Sequence, residues 1–334
     1  MKDLYKYIGN ELQLSGVEEL RLTSGKGAGM RLWDVRNGLG LQFSVCPDRC
    51  ADILRLSFRG YNFGYLSFGG YVAPAYYDDR DRGWLKSFSA GFLTTCGIYT
   101  AGSPSNDEGE MLPLHGCISN TPADQICWKS DDDAISIRAV MREGRIFAHK
   151  LILERTISCS RKENMFTITD TVTNCGDKPS PVMMLYHNNI GYPLLDEHAE
   201  IYIPSYDITP ADEHSREHLD EWRKIPAPVR GFRQQNYYHK LKKGRAGIFN
   251  PEIGKGLLMA FDTAVFKYFI QWKMMGERDY VLGLEPANCH PGGRVRTKEN
   301  NDLLMLEPDG RAEFRIRYQM AEGVGEWRNL LSRD

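Results

Sequence analysis

The chain has 334 residues, of which 42% are hydrophobic, and a formal net charge of −2. That composition is globular, with room for one large domain or two, and it gives no electrostatic footing for nucleic acid or an anionic membrane. No run of 18 or more apolar residues marks a membrane-spanning helix. The opening residues Met-Lys-Asp-Leu-Tyr-Lys-Tyr lack the apolar core of a signal peptide. Eight cysteines are scattered from Cys46 to Cys289 without a Cys-x-x-Cys pair, which reads as free thiols rather than a disulfide framework. A cytoplasmic location is the expectation.

Residues 1–16 suit a short helix or an entry strand. Beyond them, 17–23, 29–35 and 39–45 alternate apolar and polar residues, as half-buried strands do. Asn37-Gly38 between two such runs is a hairpin signal, because both residues tolerate positive φ. Residues 49–58 continue the pattern. Residues 60–84 are rich in Gly, Tyr and Asp and read as an ordered aromatic loop, since flexible linkers carry few aromatics. Residues 89–99 are small and apolar, and 102–110 form a polar loop leading to His115.

Strands resume at 134–142, 146–158, 165–174 and 182–187. Residues 212–224 are charged and suit a helix. Further strands fit 246–250, 255–262, 266–273, 280–285, 303–306 and 312–318. Many short strands with few helical periods predict a large antiparallel sandwich or barrel. No composition break divides the chain, so a single domain is expected.

Three segments carry candidate chemistry. In Tyr280-Val-Leu-Gly-Leu-Glu-Pro-Ala-Asn288 an apolar run delivers Glu285, with Pro286 expected to stop the strand. A carboxylate there is costly to bury unless something pairs with it or uses it. It reads as a general base or as a structural ion-pair partner. His187 closes an apolar strand in Tyr-His-Asn-Asn and suits a general acid, or a histidine satisfied by the neighbouring turn. His115, in Leu-His-Gly, is a site histidine or a turn histidine. Tyr71, Tyr76, Tyr77, Trp84, Tyr192 and Trp272 are candidates to stack on a sugar, although most aromatics are core. His214 and His218 share a helix face without a His-Glu-x-x-His pattern, and Cys46 and Cys50 lack a second pair, so no metal site is expected. No nucleotide-binding glycine motif and no Gly-x-Ser-x-Gly elbow occurs.

Leu-His-Gly, Tyr-His-Asn-Asn and Gly-Leu-Glu-Pro, in that order, resemble the galactose mutarotase-like superfamily of aldose 1-epimerases. Arg49-Cys-Ala-Asp-Ile53, Gly91-Phe-Leu-Thr-Thr-Cys-Gly97, Pro113-Leu-His-Gly, Tyr186-His-Asn-Asn-Ile-Gly-Tyr-Pro and Leu284-Glu-Pro-Ala-Asn resemble its branch named domain of unknown function 4432. The resemblance implies an all-β, mostly antiparallel β-supersandwich with few short helices. Residues 1–334 would form one carbohydrate-binding domain with a cleft on one face. It also implies cofactor-independent interconversion of sugar anomers, with three catalytic residues: Glu285 as the base, His187 as the acid, and His115 holding substrate and sharing the acid role. Arg49, Asn188, Trp272 and Asn288 are the expected substrate-binding residues. The expected partner is a small carbohydrate, without nucleic acid, membrane, cofactor or metal, and a homodimer is compatible. The rival readings are a carbohydrate-binding protein without catalysis and a different isomerase or lyase on the same scaffold. Arginine is missing after His115-Gly116, and no aspartate matches the one mutarotases carry between the second histidine and the glutamate.

Overall fold

The computed structural model describes residues 6–333, and every strand pairing among them is antiparallel. Alternation in the sequence becomes alternation in burial. Lys150–Ser160 turns Leu151, Leu153, Arg155, Ile157 and Cys159 inward and the alternate residues outward, as a pleated strand must when one face is packed. It sits in an eight-stranded sheet, in the order Gln125–Ser130, Ala134–Gly144, Lys150–Ser160, Met165–Asn174, Arg311–Glu322, Lys255–Phe261, Arg245–Asn250 and Glu200–Tyr202. A five-stranded sheet built from residues 16–62 adds Phe43, Leu56 and Phe58 to the shared core.

A seven-stranded sheet packs on the same core. Its strands are β1 (Leu93–Ile98), β2 (Ser180–Ile190), β3 (Ser205–Pro210), β4 (Gln235–Leu241), β5 (Tyr268–Met275), β6 (Tyr280–Ala287) and β7 (Leu304–Leu306). The order is β3-β4-β5-β6-β2-β7, with β1 also pairing with β2. On β2, Met184 and Tyr186 enter the main core, while Met183 and Leu185 join a second apolar cluster with Trp84, Ile270 and Ala287. The sheet is therefore apolar on both faces near its middle, and polar side chains on its outer face are enclosed.

Beneath it lies one charged exception. Arg155 occupies an inward position and is fully buried between Asp52 (2.8 Å) and Asp170 (2.6 Å). Tyr186 donates to Asp170 and Thr95 Oγ1 to Asp52. Such a charge is tolerable in a core only when its hydrogen-bonding capacity is met this completely.

Several sequence expectations shift. Pro286 does not stop its strand: β6 runs through Ala287, with Pro286 opposite Phe269. The 212–224 helix is broken, with an α-helical turn at Glu213–Glu217 and a 3-10 turn at Leu219–Glu221. Strands Gln125–Ser130, β3 and β4 and the helix Gly323–Ser332 were not expected. All eight cysteines are free, and among the described residues no helix is long and apolar enough to cross a membrane. Residues 1–5 and 334 of the expected domain lie outside the described residues.

Candidate active site

His187 and Glu285 meet across β2 and β6. The register pairs Asn188 with Leu284 and Asn189 with Gly283, so the next residues along, His187 and Glu285, project side by side from the outer face. His187 Nε2 lies 3.3 Å from Glu285 Oε1, and the residues are only 6% and 4% exposed.

His115 arrives from a loop. Its φ is +58°, and its amide donates to the Gly102 carbonyl while its own carbonyl accepts from Gly97. Gly116 follows at φ +71°, where a Cβ would stand 2.3 Å from the Thr100 carbonyl oxygen. That close approach explains the His-Gly pair: only glycine lets the turn press against 97–100 and present the imidazole inward. The His115 ring lies edge-on to His187 at 5.7 Å.

The loop expected to be aromatic and ordered covers these groups. Trp84 is buried, packs on His115 at 4.7 Å and on Phe88 at 4.4 Å, and donates through Nε1 to Ser119 Oγ. Phe88 stands edge-on to His187 at 5.3 Å, and Trp272 of β5 does so from another side at 5.2 Å.

Burial sets the protonation states. It pushes Glu285 up to about 8, with no neighbouring charge contributing. It pulls His187 down to about 4, against a hydrogen-bond contribution from Asn189, and His115 down to about 3, with a smaller push from His187. Near neutral pH the acid and both imidazoles are therefore uncharged. Glu285 Oε1 and the Nδ1 atoms of both histidines have no hydrogen-bond partner among the described residues. A carboxyl and two imidazoles left uncommitted in one buried cluster can exchange protons with a bound hydroxyl compound.

The structure brings Glu285, His187, His115 and Trp272 together, and it holds three other candidates elsewhere. Asn188 points to the opposite face, where Nδ2 donates to the Tyr186 and Leu284 carbonyls and Oδ1 accepts from Tyr318. Asn288 accepts from the Met184 amide and donates to the Val182 carbonyl, so it pins chain rather than reaching the outer face. Arg49 donates to the Val72 and Ser87 carbonyls and so anchors the covering loop. Of the other aromatics, Tyr77 donates to the Gly116 carbonyl, Tyr71 accepts from Arg55, and Tyr76 and Tyr192 are exposed. His214, Glu217 and His218 bring donor atoms within 4.8 Å of one another at the surface, but His214 Nε2 already meets the Arg233 carbonyl.

Asn189, which the sequence reading notes only as the neighbour of Asn188, is the one of the two on the His187 face, as strict period-two counting shows, and two further neighbours escaped that reading. Phe88 gave no local signal. Tyr238 of the unexpected strand β4 lies across from Ile270, and burial, with a smaller contribution from the Glu285 charge, raises its hydroxyl.

This architecture is the galactose mutarotase-like β-supersandwich. Within it, the chain belongs to the family described as Domain of unknown function (DUF4432), whose model matches residues 27–320. A solved Klebsiella pneumoniae protein, provisionally assigned as an aldose 1-epimerase, is 24% identical, with a TM-score of 0.89 over 96% of this chain and 88% of that one. A galactose mutarotase-like protein from Clostridium acetobutylicum is 12% identical, with a TM-score of 0.70 over 93% and 99% of the two chains. Galactose 1-epimerase from Lactobacillus acidophilus is 14% identical, with a TM-score of 0.63 over 92% and 99%. At these identities the likeness establishes the fold. No curated protein matches the chain.

Proposed function

We propose that this protein is a cofactor-independent, aldose 1-epimerase-like isomerase that interconverts the anomers of a sugar. The observation that carries this reading is the 3.3 Å approach of His187 Nε2 to Glu285 Oε1, with the His115 ring packed edge-on against His187. Mutarotation moves two protons and no other atoms. It needs a base at the anomeric hydroxyl and a donor at the ring oxygen, held on one substrate.

Glu285, once its proton has left, is a desolvated carboxylate with no cation to weaken it, and so a strong base for the anomeric hydroxyl. As the anomeric hydroxyl gives its proton to Glu285 and the C1–O5 bond breaks, a neutral imidazole N–H of His187 or His115 gives its proton to the ring oxygen, and the 3.3 Å contact between His187 and Glu285 lets the carboxyl return a proton to the imidazole. Rotation about the C1–C2 bond and reclosure with the reverse proton movements yield the other anomer. Trp272, partly exposed beside His187, offers a flat apolar wall.

The test is saturation-transfer NMR on freshly dissolved aldoses, comparing wild type with Glu285→Gln. The expected result is accelerated anomer exchange with at least one sugar, reduced ~10²- to 10⁴-fold in the variant, while circular dichroism stays unchanged. Wild-type exchange rates in the variant would remove Glu285 from the mechanism.

A further inference from the structure

We infer that Asn189 is a substrate-binding residue whose side-chain oxygen accepts a hydrogen bond from a hydroxyl group of the sugar. This rests on the carbohydrate reading of the site and adds to it a residue and a hydroxyl contact.

Asn189 is completely buried, and its Oδ1 completes no hydrogen bond among the described residues, although the side chain lies close enough to the His187 imidazole to favour its protonated form. Native proteins seldom leave such an atom unmet without a reason. The orientation of the amide is not free. Nδ2 donates to the His187 carbonyl at 2.9 Å, two residues back on the same strand. Turning the amide over would set two oxygens against each other, so the oxygen is the atom left facing away from the backbone.

Its surroundings point the same way. Residues two apart on a strand share a face, so Asn189 stands beside His187 on the outer side of β2. Directly across is Gly283, which has no side chain to offer. Glu285 leans over that same glycine, with Oε1 2.4 Å from where a Cβ would be. Two buried oxygens without partners therefore flank one glycine, next to the imidazole assigned as donor. Both are acceptors when Glu285 is ionised, so what fits between them is a molecule presenting more than one hydroxyl donor. Asn188 makes the contrast: its side chain is fully hydrogen-bonded on the core face, whereas its neighbour has an acceptor to spare on the site face.

The test uses Asn189→Leu, which keeps size and branching but removes the acceptor, and Asn189→Ser, which restores a smaller one. Anomer exchange is measured by NMR with a panel of D-glucose, D-galactose, D-xylose and L-arabinose, and then with monodeoxy analogues of the fastest substrate. The expected result is that Asn189→Leu melts within a few degrees of wild type yet loses about 10- to 100-fold in kcat/KM, with part of the loss recovered in the serine variant. One monodeoxy sugar should suffer the same loss with wild type and no further loss with Asn189→Leu. A structural role would weaken all the analogues alike in both proteins, and that outcome overturns the assignment. If wild type accelerates no sugar, the proposed reaction fails independently, and the contact is then read from ligand line broadening. Broadening lost in a folded Asn189→Leu protein supports the assignment, and unchanged or absent broadening overturns it. If neither variant folds, monodeoxy sugars that all exchange or broaden like the parent with wild type overturn it, and a single deficient one supports it.

Discussion

A Cβ placed on Gly283 would stand 2.4 Å from Oε1 of Glu285 and 2.9 Å from the Cβ of Trp272. The carboxyl occupies space that any other residue at 283 would fill. The backbone there is ordinary extended strand, so the demand for glycine is steric rather than conformational. Gly283→Ala should fold, at an overpacking cost of about 1–3 kcal/mol. Because displacing a reacting group by ~1 Å can cost ~10²-fold, kcat should fall by about that factor. Steady-state anomer exchange together with a denaturant titration separates the two effects, and unchanged kcat in a folded variant would show that the carboxyl position is not critical.

The pH dependence follows from Glu285. If its carboxylate is the working base, kcat/KM should rise as pH climbs through about 8, where burial has pushed the group. His187 and His115, pulled down to about 4 and about 3, stay neutral throughout that rise. A rate that falls through pH 8 would make the protonated carboxyl the active form. The same shift has a stability consequence. The folded state holds the Glu285 proton more tightly than the unfolded chain does, so this group's contribution is lost as pH rises from the usual carboxylate range to about 8. Glu285→Gln should therefore melt higher than wild type at pH 9, and the gap should shrink toward pH 4.

Arg155 supports the site from below. It holds Asp52 and Asp170, and Asp170 in turn accepts from Tyr186, the residue before His187. Arg155→Met would leave two buried carboxylates without their cation, at a cost of about 3–5 kcal/mol. The expected result is a lower chemical-denaturation midpoint. Replacing both aspartates by asparagine in the same protein should restore part of that loss. Wild-type stability in the single variant would contradict the assigned role.

Much of the fold was legible because its cause is local. Period-two alternation in residues 150–160 and 165–174 reports which face is packed, wherever the partner strand comes from. Strand β4 was harder to see. Gln235-Asn-Tyr-Tyr-His-Lys-Leu mixes polar and aromatic residues on both faces, because His239 bonds Gln271 on one side while Tyr238 lies across from Ile270 on the other.

The sequence by itself determined most of the strands and the free cysteines, and it marked Glu285, His187 and His115 as candidates through short motifs and strand ends. The tertiary structure alone decided which neighbours join them. Asn188 and Asn189 are alike as letters, and only the pairing of β2 with β6 over a core containing Tyr318 sends one inward and the other to the site. Trp84 and Phe88 come from a distant loop, held by Arg49 rather than by any local pattern. Side chains far apart in the chain become neighbours through the order in which strands pair, and strand order is set by packing of the whole sheet rather than by the residues at any one position.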